Sequence, residues 1–334
     1  MMTKRIYKGM LSLLLLLTAI QTTAQPVLNK QRHFRKTVPA GNYSGVTWMG
    51  GDSYAVADDK SVTAGFWLFT VSTDSVTGSI SHVRADSFMT AMLPNRDEEG
   101  ICYVPATNTL FVSGESDGRI LEYTADGQPT GRQLDIPAAF DSVHRNYGLE
   151  ALTYNATTHR FWTTTENTLT TDGQRPDIRH KTANRLRLQS FGDDLRPLEQ
   201  YWYLTDSLAA KGRKGSSTLG VSAMAALDDG RLVILEREVR VPRFRIGSYV
   251  RVKLYIVTPT LHQPGEVLTK QLLAEFRTKL NLTRRSFANY EGLCAGPRLA
   301  DGRQLLLLVA DSQNRYKHVL KDWFKTVVMP PSSM

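Results

Sequence analysis

Carboxylates return at two fixed positions of a phrase that occurs five times in this 334-residue chain. Each phrase sets a small residue before an apolar one, passes a turn, and ends a β-rich run in an acid. The five are Ser44-Gly45-Val46 to Asp58, Glu99-Gly100-Ile101 to Glu115, Glu150-Ala151-Leu152 to Glu166, Ser222-Ala223-Met224 to Glu236, and Glu291-Gly292-Leu293 to Asp311. If equivalent residues lie at one depth around a common axis, these acids converge and repel strongly unless something neutralises them. Hard oxygen donors in an irregular array suit Ca²⁺ better than Mg²⁺, so Asp58, Glu99, Glu115, Glu236, Glu291 and Asp311 are candidate metal ligands. Glu150 and Glu166 are the candidate catalytic acid or base. Arg237 and Arg315, each within four residues of a repeated acid, are placed to neutralise it or to clamp an anionic substrate. Asn167 and Asn314 add oxygen ligands or donors. The competing reading is structural, with repeated polar groups tying strand ends together by hydrogen bonds.

The elements that must position these residues are short strands in radial array. A recurrence every 50–70 residues or so, with several strands per repeat, is the signature of propeller blades. The clearest repeat runs from Gly100 through turns at Asn108 and Gly118 to Asp126-Gly127, giving three strands before an outer edge. The expected fold is all-β, a single β-propeller of six blades, one of them degenerate within residues 240–280. Residues 205–220, with Gly212, Gly215 and three cations (Lys211, Arg213, Lys214), read as a loop. A strand near residues 33–38 is expected to close the ring against the last blade, since an open ring leaves bare edges.

The first 24 residues place Lys4, Arg5 and Lys8 before the apolar run 11–20 and a small-residue site, which is the pattern of a secretory signal peptide. The propeller domain is then residues 25–334, periplasmic or extracellular, with no membrane-spanning segment after cleavage. The formal charge is +9; subtracting the three signal cations leaves about +6. Arg237, Arg240, Arg243, Arg245 and Arg251 crowd one region, but no aromatic-interleaved basic motif accompanies them, so nucleic acid is not an expected partner. The expected partner is a small anionic or ester substrate and the expected state a monomer. Cys102 and Cys294 occupy equivalent slots of different repeats, which puts them farther apart than the roughly 7 Å limit for a disulfide and predicts free buried thiols.

No Gly-x-Ser-x-Gly elbow and no His-Glu-x-x-His are present, which removes the usual serine-esterase and zinc signals. Asn146-Tyr-Gly-Leu-Glu-Ala-Leu-Thr-Tyr154, Trp162-Thr-Thr-Thr-Glu-Asn167, Leu235-Glu-Arg237, Asn289-Tyr-Glu-Gly-Leu293 and Ala310-Asp-Ser-Gln-Asn314 together resemble the phytase-like family of exported bacterial proteins, described by an esterase-like activity of phytase. The resemblance runs from about Tyr43 to Asn314 and implies a propeller acting on phosphoesters or other esters. The alternative function is a noncatalytic propeller that binds a small molecule, glycan or cell-surface partner.

Overall fold

Strand β1 (Val27–Leu28) is separated by nearly the whole chain from its pairing partner, β20 (Phe324–Val328). The computed structural model describes residues 25–143, 148–210, 214–281 and 285–331. The expected signal peptide, residues 1–24, lies outside the described residues, as do Asn146, Tyr147, Lys211 and Arg213.

Blade 1 is β2 (Tyr43–Gly50), β3 (Ser53–Asp58), β4 (Thr63–Thr73) and β5 (Ile80–Pro94). Blade 2 is β6 (Glu98–Val104), β7 (Thr109–Gly114), β8 (Arg119–Thr124) and β9 (Pro129–Gln133). Blade 3 is β10 (Leu149–Asn155), β11 (Arg160–Thr165), β12 (Arg185–Phe191) and β13 (Pro197–Leu204). Blade 4 is β14 (Ser216–Ala226), β15 (Leu232–Val241), β16 (Ser248–Val257) and β17 (Lys270–Leu280). Blade 5 joins β18 (Asn289–Arg298), β19 (Gln304–Asp311) and β20 to β1 at its outer edge.

The protein is thus a single all-β propeller of five antiparallel four-stranded blades, which corrects the expected six. Residues 240–280 hold no degenerate blade, because β15, β16 and β17 are long strands of one sheet. Extra chain went into strand length, not into another repeat. Residues 216–220, expected in a loop, begin β14. Closure also differs from expectation: β1 supplies the outer strand, while residues 33–38 follow it through a lone bridge between Arg32 and Phe324.

Period-two alternation turns apolar residues of each blade onto its neighbours. One buried cluster fills each interface: Ala55, Phe66 and Val112 between blades 1 and 2, Phe111 and Phe161 between 2 and 3, Trp162 and Ile234 between 3 and 4, Leu235 and Leu306 between 4 and 5, and Tyr43 and Val309 between 5 and 1. Cys102 and Cys294 are free and buried in two different clusters. Among the described residues no helix is long and apolar enough to cross a membrane.

Candidate functional site

Every inner strand is bulged at the same slot. Pairing with the second strand slips between Tyr43 and Gly45, Glu98 and Ile101, Leu149 and Ala151, Val221 and Ala223, and Tyr290 and Gly292. A bulge re-aims a side chain that a regular ladder would leave on a blade face. Ser44, Glu99, Glu150, Ser222 and Glu291 occupy these slots and form a ring about the axis. The small residue that follows is required by crowding: a Cβ on Gly45 would stand 2.3 Å from the Glu99 carbonyl oxygen, and one on Gly100 would stand 2.6 Å from that of Glu150. Below the ring, apolar residues such as Val46, Leu152 and Met224 fill the axis around a void of about 10 Å³. The ring is therefore the floor of a bowl.

Above the floor the bowl has a volume of about 770 Å³, with Asp59, Glu99, Glu150, Glu166, Arg237, Glu291 and Asp311 among its lining residues. Arg237 Nη2 donates to Glu166 Oε1 at 2.9 Å, and Nη1 donates to Asn289 Oδ1 at 3.0 Å. Nη1 also forms an ion pair with Glu291, whose Oε1 accepts from Asn289 Nδ2 at 2.8 Å. Burial works against the charge of Arg237, but Glu291, Glu166 and Glu150 outweigh it and hold the guanidinium pKa above its ordinary value. Its Nε–H is buried without a hydrogen bond.

The acids outnumber this cation. Burial, then the charges of Glu150 and Glu291, raise Glu99 well above the usual carboxyl range. Burial and then Glu166 do the same to Glu150, with Arg237 opposing. Asp311 is raised by burial and by Glu291, and Glu291 itself is raised by burial despite Arg237. Among the described residues, neither Glu99 nor Glu150 receives a hydrogen bond. Burial and neighbouring charge thus favour the neutral form of both carboxyls relative to an exposed glutamate.

Beside Glu99, the carboxylate oxygens of Asp59, Asp97 and Glu99 lie within 4.8 Å of one another. Asp59 Oδ1 is buried with no hydrogen-bond partner, and burial pushes Asp59 up to about 7. An all-oxygen donor set with an orphaned atom fits a hard divalent cation. Lys60 contacts both Asp59 and Asp97, so an incoming cation competes with its ammonium group.

Five of the acids named from sequence, Glu99, Glu150, Glu166, Glu291 and Asp311, meet at this bowl, together with Arg237. Others do not. Glu236 lies on the opposite face of β15 from Arg237, where it accepts from Tyr203 Oη at 2.7 Å and Lys270 Nζ at 2.6 Å and ties blade 3 to blade 4. Asp58 is buried under Asn42 N–H and Trp67 Nε1, and the next residue, Asp59, reaches the bowl instead. Glu115 lines a separate cavity of about 420 Å³ and accepts from Gly148 N–H at 3.2 Å. Asn167 is buried, with Nδ2 unpartnered and its carbonyl accepting from Thr165 Oγ1. Asn314 is exposed and its N–H donates to the Gly41 carbonyl.

Arg315 clamps a turn. Its Nε donates to Asp322 at 2.5 Å and its Nη2 donates to the carbonyls of Val38 and Pro39 at 2.7 and 3.1 Å. Gln313, Asn314, Arg315, Lys317 and His318 all have positive φ, an arrangement costing about 1 kcal/mol or more per residue that survives only when its surroundings hold it. This turn carries Tyr316, Lys317, Val319 and Leu320 to the edge of the bowl. Sequence reasoning missed Asp59, Asp97 and Asn289. Asn289 was signalled by its place two residues before Glu291, on the same edge of β18.

The chain is similar to solved structures of an endo-arabinase from Bacteroides thetaiotaomicron (11% identity, TM-score 0.48, 89% of this chain and 98% of that one). It is also similar to a structure of a nidogen/laminin complex (12%, 0.41, 87% and 87%) and to streptogramin B lyase (10%, 0.38, 91% and 98%). Among curated proteins none matches the sequence. The family model described as phytase-like, esterase-like activity of phytase, matches residues 38–313, and with that coverage the chain belongs to the phytase-like family.

Proposed function

We propose that this protein is an exported ester hydrolase whose reaction takes place on the acidic floor of the propeller, in a monomer. The observation that carries this reading is the meeting of Glu99, Glu150, Glu166 and Glu291 around Arg237 at the base of a cavity open on one side. Glu150 supplies a proton to the leaving alcohol oxygen. Glu166, fixed by Arg237, takes a proton from the water whose oxygen attacks the ester centre. The bond to the leaving oxygen breaks as the bond to water oxygen forms, and solvent returns the proton from Glu166 to Glu150. An acid and a base carboxyl on one floor are a general means of running both proton transfers together.

Asp59, Asp97 and Glu99 would hold a hard divalent cation such as Ca²⁺, which when bound supplies a Lewis acid for an ester oxygen. The export pattern in residues 1–24 supports action in the periplasm or outside the cell. A panel of phosphate and carboxylate esters, with and without excess Ca²⁺, tests the reading. Turnover should fall about 100-fold or more in Glu150→Gln and persist in Leu261→Ser, an exposed residue in the turn after β16, at the opposite end of blade 4 from the bowl-lining Val241 and Ser248. Absence of turnover on every ester, or equal turnover in Glu150→Gln, overturns it.

A further inference from the structure

The bowl is chemically divided. From its floor, β15 climbs one side, and its two-residue period sets Arg237, Val239 and Val241 in a line on the cavity face. Leu280, Phe287, Val319 and Leu320 extend the same apolar wall from β17, the segment before β18, and the clamped turn. Val239 and Phe287 pack from behind on the buried cluster between blades 4 and 5, so the wall is firmly backed. At the rim stand Arg245, whose Nη1 donates to Tyr316 Oη at 2.7 Å, and Lys317, both exposed.

We propose that the ligand is an amphiphilic ester, with its ester group at the acidic floor, an apolar acyl or aryl part along the blade 4 wall, and an anionic end at Arg245 and Lys317. This rests on reading the floor as the reacting end. Pocket walls with few polar groups gain their affinity from apolar burial, and the polar groups set orientation. A highly phosphorylated polyol fits poorly. It would place anions against Glu99, Glu150 and Asp311, while the floor cations are already engaged: Arg237 with Glu166 and Glu291, Lys60 with Asp59 and Asp97. The long strands of blade 4 are what raise this wall above the ring.

Two measurements on the full-length protein test the inference. Fluorescence titration with anilinonaphthalene sulfonate, an apolar aryl anion, should give saturable binding that weakens about tenfold in Val239→Asp and severalfold at low salt in the double variant Arg245→Glu/Lys317→Glu. Nitrophenyl acetate, butyrate and octanoate should be hydrolysed with kcat/KM rising with acyl length, and Val239→Asp should flatten that rise. Val239→Thr, nearly the same size, carries the test if the aspartate variant does not fold. Binding at the wall with no ester turned over overturns the hydrolase reading and upholds the ligand class. Turnover insensitive to acyl length, with probe binding unchanged in both Val239 variants, overturns the ligand class and leaves the hydrolase reading standing. Preferred turnover of a polyphosphorylated polyol also overturns it.

Discussion

Gly220 and Glu166 touch across the gap between blades 3 and 4. A Cβ on Gly220 would stand 2.5 Å from Glu166 Cγ and 2.8 Å from the Glu166 carbonyl oxygen. That carbonyl accepts from Val221 N–H at 3.1 Å, so the backbone of Glu166 is held while its side chain turns to Arg237. Gly220→Ala must therefore displace either β14 or the carboxylate. We expect a loss of about 1–3 kcal/mol in urea unfolding, of the size seen when a close-packed site is overfilled. Hydrolytic activity should fall with it, and an alanine variant as stable and active as the parent would contradict the placement of Glu166.

Arg237→Met should destabilise the fold by about 3–5 kcal/mol at neutral pH, because it leaves Glu166 and Glu291 buried without their cation. The deficit should shrink on acidification as Glu291 takes up a proton. Chemical denaturation of parent and variant at pH 7 and pH 5 measures both effects.

Burial raises Asp59 and Glu98 to about 7, so the folded state holds protons that the unfolded chain releases. Groups raised in this way contribute stability that is complete below the unfolded carboxyl range and is lost as pH rises through about 7. Glu99, Glu150 and Asp311 act in the same direction. Asp206 is shifted down, against its burial, by Lys253 and Lys270, and its contribution is lost only as pH falls below the ordinary aspartate range. The melting temperature should therefore decline from pH 5 to pH 8, and Asp59→Asn should flatten the decline. A protein whose stability rises across that interval would refute the upward shift of these buried carboxyls.

Calcium should raise the melting temperature in proportion to the logarithm of its concentration above Kd, since the folded ring holds the three oxygens together and the unfolded chain does not. Asp97→Asn should abolish the increase. Calorimetry with calcium and with chelator provides the comparison, and an unchanged melting temperature would show that Lys60, not a bound cation, neutralises Asp59 and Asp97.

Arg315→Met should release the left-handed turn that Asp322 and two carbonyls now hold. The loss expected is about 2–3 kcal/mol, appropriate to charge-assisted hydrogen bonds. Because Val319 and Leu320 belong to the same turn, KM for long-chain esters should increase more than kcat declines. A change in kcat alone would instead assign Arg315 to the chemistry.

The radial repeat, the small residue at each axial slot and the three glutamates of the ring are legible in the order of residues, because all three follow from local rules repeated in register. Residues in one slot of a cyclic array must share a depth, and only small side chains fit where inner strands approach within van der Waals contact. The blade count is not legible there, since chain length alone does not separate a further repeat from long strands such as β15 and β17. Nor does residue order sort neighbouring acids. One step along β15 sends Glu236 into an interface and Arg237 into the bowl, and one step past β3 exchanges Asp58 for Asp59. The fate of each depends on bulges and strand ends, which are fixed by packing against another blade. Arg315 became a clamp because Asp322 and the chain near Val38 meet it only when the ring closes. The apolar wall likewise unites β15, β17 and the turn after β19, residues far apart in sequence that share a surface only once blades 4 and 5 are packed together.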